Sequence, residues 1–160
     1  MGAFRHRGVE VKSYISDPAV IRALQEIEER DGVLRPEAVV QAAEPKTSVL
    51  HGFFEWDDSE AAELYRLHQA RVLLRIVVKS VPVNDEVRKV RVFVSLTPDR
   101  NEEGGGYRSV ASVLSSAEMR KQLMEDALDE LRVFEEKYRG LQELATVFLA
   151  IKAVRLALGS

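Results

Sequence analysis

The sequence predicts an α+β protein with an N-terminal helical subdomain, a central β-hairpin and long C-terminal helices. Three observations predict this class. Capping residues and apolar residues at helical spacing recur through residues 17–75. A period-two alternation of apolar and polar residues then covers residues 87–96. Apolar residues three or four apart return after residue 115 and continue to the end of the chain.

The first helix is predicted between Asp17 and Gly32. Asp17 is a favourable N-cap, Pro18 suits the first helical position, and Gly32 suits a left-handed C-cap. Its apolar face comprises Val20, Leu24 and Ile27. The charged residues expected off that face are Glu26, Glu28, Glu29 and Arg30.

Two short helices are predicted next. The second helix begins at Pro36 and ends at Glu44-Pro45, because proline disfavours helical geometry in the residue before it. A third short helix is expected to continue through Phe54, with Thr47 or Ser48 as its cap. The spacing between these helices predicts a helix-turn-helix.

A fourth, longer helix is predicted from Ser59 to about Leu74. Asp57 and Glu60 form the capping pattern that precedes it. Trp56 is interpreted as an anchor between the third and fourth helices. The N-terminal part of the chain is therefore expected to be helical throughout.

A β-hairpin is predicted over residues 75–97, with a turn at Asn84-Asp85-Glu86. Pro82 indicates that the first arm is an edge strand or contains a bulge. In the second arm, one face comprises Val90, Val92, Val94 and Leu96. Residues 97–106 are expected to form a flexible polar loop, and residues 107–113 a third strand.

The C-terminal helical region is predicted to start at a capping box of Ser115 and Glu118, and Gly140 interrupts it. Its second half is apolar on more than one face. The residues predicted to mediate self-association are Leu141, Leu144, Phe148, Ile151 and Leu158. An apolar surface this wide must be covered, either by a second copy, which we favour, or by the N-terminal helices.

The amino-acid composition excludes several classes of function. The 160 residues include no cysteine, which excludes disulfides and thiolate catalysis. No apolar run is long enough for a membrane span, and no signal peptide is recognised. The net charge of −3 argues against binding nucleic acid by bulk charge alone. The predicted organisation begins with a basic flexible arm at residues 1–16 and a helix-turn-helix-like domain at residues 17–75. A hairpin region with a Gly-rich loop follows at residues 76–113, and an oligomerisation region at residues 114–160.

Residues 36–62 resemble a tetracycline-repressor-type helix-turn-helix. The run from Val39 to Phe54 has the branched residue, paired alanines, turn, small polar residue and aromatic residue that occur in that motif, although Glu44-Pro45 stands where the family has a turn glycine. By this resemblance, Val49, Leu50 and Phe53 pack inward. The residues that it places against DNA are Lys46, Thr47, Ser48 and His51.

A second resemblance covers more of the chain. The segments 32–40, 48–51, 54–58, 61–62, 65–66 and 69–71 together resemble a group of small uncharacterised proteins encoded by phages and prophages. Membership implies a phage or prophage origin and the cytoplasm of a bacterial host. Small phage proteins of this organisation are regulators, DNA-organising proteins or small terminase subunits, all of which bind DNA as multimers.

Basic residues outside this motif are also candidates for DNA contact. Arg5 and Arg7 lie in the N-terminal arm, and Lys89 and Arg91 share a face of the predicted hairpin. A solvated terminus and an edge strand protected by charges are the alternatives for these two groups.

No catalytic signature is present. The chain lacks nucleophile-elbow, phosphate-loop and nucleotide-binding motifs, so we expect neither an enzyme nor a cofactor. His51, Glu55 and His68 lack the spacing of a known metal site. The sequence therefore predicts a phage or prophage DNA-binding protein that acts as an oligomer. The alternative is a protein-interaction or assembly factor without nucleic-acid contact.

Overall fold

The structure, a computed structural model, describes residues 14–56 and 60–159. Helices and two small antiparallel sheets make the chain an α+β protein, as predicted. The chain divides into two compact units, Met1–Val113 and Leu114–Ser160. Most of the predicted N-terminal arm and the predicted cap at Asp57 lie outside the described residues.

The first two helices form as the sequence predicts. In α1 (Pro18–Asp31), the Asp17 carboxylate accepts a hydrogen bond from the Ala19 N–H at 2.8 Å, and Gly32 closes the helix with φ 76°. Helix α2 (Pro36–Ala43) begins at its proline and ends before Glu44. Glu28, expected off the apolar face of α1, is instead buried and accepts a hydrogen bond from the Ser109 N–H at 2.7 Å.

The prediction of a third α-helix is wrong. Residues 45–54 form successive turns with hydrogen bonds three residues apart, which end in a single 3₁₀ turn at His51–Phe53. A segment this short forms too few α-helical hydrogen bonds to offset nucleation, and Gly52 lowers its helix propensity further. The Ser48 hydroxyl also accepts a hydrogen bond from the Leu50 N–H at 3.2 Å, which competes with helical pairing.

The core of the first unit lies between α1, α2 and α3 (Glu60–Ile76). The segments on either side of the hairpin add to it. Its buried members are Val20, Leu24, Ile27, Leu34, Val39, Ala43, Leu50, Phe54, Ala70, Leu73, Leu74, Val77, Val92 and Phe93. The hairpin is thus anchored at its base by Val77 and Val92, which belong to this core.

The predicted hairpin is present. Strand β1 (Val78–Val83) pairs antiparallel with β2 (Glu86–Arg91) in a two-stranded sheet, so Pro82 lies in an edge strand. The turn has two residues, one fewer than predicted. Both are left-handed, with φ 50° at Asn84 and 66° at Asp85, which is the pattern of a type I′ turn. We call residues 78–91 the ribbon.

The predicted strand over residues 87–96 is wrong in its second half, because the alternation breaks at Val92. Val92 and Phe93 are consecutive and both buried, so one strand face cannot accommodate them. A separate strand, β3 (Phe93–Val94), pairs with β4 (Arg108–Ser109) in a second sheet.

Two further predictions in this region need correction. The expected third strand over residues 107–113 shrinks to β4, which is followed by helix α5 (Val110–Ser115). The expected loop over residues 97–106 contains a short helix, α4 (Thr97–Asn101). Proline at the second position of α4 suits a helix start.

An ion pair joins α4 to β4. Arg108 donates two hydrogen bonds to Asp99, at 2.8 and 2.7 Å, and a third to the Gly32 carbonyl at 3.1 Å. The hydrogen bonds to Asp99 raise the pKa of Arg108 above its ordinary value. The Asp99 side chain is only 6% exposed and that of Arg108 22%. The Arg108 side chain therefore fastens β4 both to α4 and to the end of α1 from a largely desolvated position.

We expect Asp99→Asn to lower the free energy of unfolding by about 2–3 kcal/mol, because it leaves the Arg108 guanidinium desolvated without its counter-charge. Urea unfolding followed by circular dichroism measures this change. Asp31→Asn is the matched control, since Asp31 forms an exposed pair with Arg30 and its loss leaves the unfolding midpoint unchanged. Equal stability of the two variants would contradict the anchoring role.

The second unit is a helical hairpin of α6 (Ala117–Tyr138) and α7 (Ala145–Leu158), joined through a 3₁₀ turn at Gln142–Leu144. The N-cap of α6 is Ser116, one residue after the predicted Ser115, and its hydroxyl accepts from the Met119 N–H. Every helix in the described residues is too short or too polar to traverse a lipid bilayer.

Candidate nucleic-acid interface

The segment that the sequence places against DNA forms the turns after α2. Lys46 and Thr47 are exposed there. Ser48 is half-buried, and its hydroxyl is engaged with the Leu50 N–H. Because the expected recognition helix is absent, these side chains project from a turn and not from a rod that could lie along a groove.

His51 is held by its own chain. Its Nδ1 lies 2.9 Å from the Ala43 carbonyl oxygen, to which it can donate, and its ring stacks on Trp56 with centroids 4.9 Å apart. The Trp56 indole N–H donates to the His51 carbonyl at 3.0 Å, and the Arg66 guanidinium lies 5.4 Å from the Trp56 ring. These contacts hold the turns against α3. Because they engage the His51 side chain, His51 is not part of the interface.

The ribbon presents two faces of different character. Cross-strand partners share a face, and the register pairs Ser80 with Lys89 and Pro82 with Val87. One face, which we call the wedge face, comprises Ser80, Pro82, Val87, Lys89 and Arg91 beyond the buried Val78. The opposite face comprises Lys79, Val81, Val83, Glu86, Arg88 and Val90.

Most of the ribbon is exposed on both faces. In β2, Val90 alone is half-buried and the other five residues are exposed. A two-stranded sheet uncovered on both sides is only marginally stable by itself, and this one is held by its turn and its anchored base. An element of this kind has its backbone and side chains free to meet a partner.

The ribbon is also a local concentration of positive charge. It carries Lys79, Arg88, Lys89 and Arg91 against Asp85 and Glu86, in a chain whose net charge is −3. Arg88 pairs with Glu86 at 3.2 Å. Within the described part of the chain, Lys79, Lys89 and Arg91 form no ion pair. Three exposed cations therefore remain available to an anionic ligand.

Sequence reasoning identified Lys89 and Arg91 but missed Lys79 and the exposure of Val87. The alternation of β2 predicted a half-buried strand, in which valines face a core. Placing the hairpin turn at Asn84-Asp85 sets Lys79 opposite Val90. This register could have identified Lys79 as a further cation of the ribbon. Exposure of both ribbon faces depends on what packs nearby, which strand periodicity does not encode.

The remaining predicted contacts fall elsewhere. Arg5 and Arg7 lie outside the described residues, and so do Asp57 and Asp58. Among the residues that the structure describes, no three histidines or carboxylates come together in a way that could hold a metal ion.

The second unit exposes an unusual share of apolar side chains. Leu141 and Leu158, both predicted to mediate self-association, are exposed. Leu144, in the 3₁₀ turn, and Phe148 are half-buried, and Ile151 is buried. Phe148 meets Phe134 of α6, with ring centroids 6.4 Å apart. The other large apolar residues exposed after residue 113 are Leu114, Met124, Leu131, Val133, Phe134, Val147, Leu149, Val154 and Leu156.

Helix α7 is apolar around most of its circumference. Its charged residues are Lys152 and Arg155, and it has no acidic residue. In this unit only Asp126 and Ile151 are buried among the described residues. An open groove of about 720 Å³, with Leu114, Met124, Leu128 and Leu158 among its lining, runs between the start of α6 and the end of α7. A helix apolar on all sides is normally covered on all sides.

Comparison with known proteins found no match: no family model, no curated protein and no solved structure is similar to this chain.

Proposed function

We propose that this chain is a DNA-binding protein of phage or prophage origin that acts as an oligomer in the bacterial cytoplasm. The observation that carries the proposal is the ribbon, which is largely exposed on both faces and holds three cations, Lys79, Lys89 and Arg91, that pair with no acid among the described residues. The ribbon takes the role that the sequence assigned to a recognition helix. The protein acts by binding and not by catalysis.

The dimensions and charge of the ribbon fit a duplex. Two antiparallel strands are narrow enough to enter a groove of DNA, and proteins of several folds use such ribbons for this purpose. Phosphates line both sides of a groove, and Lys79 extends from one face of the ribbon while Lys89 and Arg91 extend from the other. Lysine and arginine side chains are long enough to reach past the edges of a two-stranded ribbon, so cations on both faces can contact the flanking phosphates whichever face meets the groove.

Self-association supplies the affinity that one ribbon lacks. The exposed apolar surface of α7 favours a second copy as its partner, and charge agrees with this choice. Helix α6 carries seven acidic and four basic residues, whereas α7 carries two basic residues and no acid. The Arg155–Glu135 contact at 3.8 Å shows this attraction within one chain. A second copy offers the same pairing, and two linked ribbons bind more tightly than one.

The other predicted residues have secondary roles in this proposal. Lys46 and Thr47 are exposed in the first unit and extend the contact to the phosphate backbone, with Ser48 beside them. Arg5 and Arg7 act as an arm that adds further phosphate contacts.

We expect binding to duplex DNA to weaken steeply with salt. Three phosphate contacts per ribbon give a slope of about −3 in the logarithm of the association constant against the logarithm of salt concentration, and about −6 for a dimer. Fluorescence anisotropy with a labelled 30-base-pair duplex, from 0.05 to 0.3 M KCl, measures this slope. No change in anisotropy at the lowest salt would reject the proposal.

The apolar α7 surface favours a second candidate, a protein-assembly factor that does not contact nucleic acid. This function needs the helices of the second unit and leaves the ribbon cations without a role. Self-association in the same experiments, combined with no duplex binding at any salt concentration, would support the assembly factor over the DNA-binding protein.

A further inference from the structure

The end of the ribbon carries an apolar pair that its own chain does not cover. Val87 is 76% exposed, which makes it the most exposed large apolar side chain in the described residues. It lies directly across from Pro82, also exposed, and the Val83–Glu86 pair alone separates the two from the turn. The pair therefore forms a small apolar surface at the far end of an otherwise polar element.

Folding of the ribbon does not account for these residues. Proline cannot donate a hydrogen bond to the sheet and is a poor strand residue. Val87 is exposed, so it contributes little hydrophobic stabilisation to this unit, and Asn84 and Asp85 already fix the turn. Threonine, which is both polar and β-branched, would serve the strand equally well.

The apolar pair shares the wedge face with two cations. Lys89 is two residues from Val87 along β2, and Arg91 follows two residues later. The wedge face is therefore apolar near the turn and positively charged nearer the base of the ribbon. The opposite face near the turn instead carries the Glu86–Arg88 ion pair and the half-buried Val83.

We propose that the ribbon enters the minor groove and inserts Pro82 and Val87 between two base pairs, so that the duplex bends. This inference rests on the proposed DNA-binding function. An apolar tip cannot read the hydrogen-bonding edges of bases, but it can occupy an unstacked step, while cations behind it hold the flanking phosphates. Unstacking costs a few kcal/mol, and the wider contact of bent DNA with the protein offsets this cost.

The inference specifies the kind of duplex that binds best. Pyrimidine–purine steps unstack more easily than other steps, and a nick or a two-base bulge removes most of the cost of bending. The protein is therefore expected to bind a nicked or bulged duplex about 10-fold or more tightly than an intact duplex of the same sequence.

A labelled duplex tests the insertion. Donor and acceptor dyes at the two ends of a 30-base-pair duplex report bending as increased energy transfer, and anisotropy on the same duplex reports binding. The full-length protein is expected to raise the transfer. Replacing the tip by Pro82→Thr and Val87→Thr is expected to abolish this rise and the preference for nicked duplex, while the affinity for intact duplex falls less than 10-fold. Threonine keeps the β-branched shape that the strand favours.

Val83→Thr is the matched control, because Val83 is also next to the turn but lies on the opposite face. It is expected to bend DNA as the unmodified protein does. Binding without bending, or bending that survives the threonine variant, would overturn the insertion and leave the DNA-binding function intact. If the unmodified protein binds no duplex at low salt, the proposed function fails and the insertion fails with it.

Discussion

Replacing Lys79, Lys89 and Arg91 by glutamine is expected to lower the affinity for duplex DNA at 0.1 M salt by roughly 100- to 1000-fold for each ribbon in the complex. The salt slope is expected to fall by about 3 for each ribbon in the complex. These three side chains are exposed cations on the ribbon and form no ion pair in the described part of the chain. Their removal therefore affects the ligand and not the fold.

The magnitude follows from counterion release. Each phosphate contact contributes about 0.9 to the salt slope, which amounts to nearly a factor of 10 in affinity over the decade between 0.1 and 1 M salt. The factors for the three contacts of one ribbon multiply to give the expected loss of affinity. Glutamine is somewhat shorter than lysine and arginine but keeps a polar, hydrogen-bonding end, so the variant mainly removes charge.

The matched control neutralises two lysines and one arginine in the second unit. Lys121, Arg132 and Lys137 are exposed on α6, and their replacement by glutamine changes the net charge by the same amount. We expect this control to bind DNA within about 3-fold of the unmodified protein, since the proposal places no DNA contact on α6 and screening limits the reach of a charge that makes no contact to about 10 Å. Equal losses in the two variants would mean that net charge, and not the ribbon, determines binding.

Local signals predicted the elements that depend on local chemistry. Asp17, Pro18 and Gly32 defined both ends of α1, and Pro36 defined the start of α2, because caps and proline act on the backbone next to them. The hairpin was equally predictable, since Asn84 and Asp85 tolerate the left-handed conformation that a tight turn requires.

Features that depend on distant partners could not be predicted. The sequence places Glu28 on a solvated helix face, yet Glu28 is buried, and the Ser109 N–H, 81 residues away in the chain, donates the hydrogen bond that offsets its desolvation. The third helix was expected from capping residues and apolar spacing, but these signals are equally compatible with a series of turns when the segment is this short. His51 shows the same limit, because its stacking on Trp56 is tertiary.

The second large effect concerns self-association. Replacing Leu149 and Leu156 by glutamate is expected to convert the protein to a monomer of 18.0 kDa, because it places two charges in the apolar surface that a second copy would cover. Leu149 is 68% exposed and Leu156 67% exposed, so the single chain loses little packing. Light scattering coupled to size-exclusion chromatography measures the mass, and circular dichroism checks that the helices persist.

The same variant discriminates between the two candidate functions. If paired ribbons supply the affinity for DNA, the monomer is expected to bind duplex at least 100-fold more weakly, with about half the salt slope, because the second ribbon no longer binds at the high effective concentration of a linked site. Gln142→Glu and Thr146→Glu add the same charge at exposed polar positions and serve as the control.

An oligomer that persists after both leucines are changed would show that the exposed face of α7 is not the interface. A monomer that binds DNA as tightly as the unmodified protein would show that a single ribbon is sufficient, so that the second unit serves some purpose other than affinity.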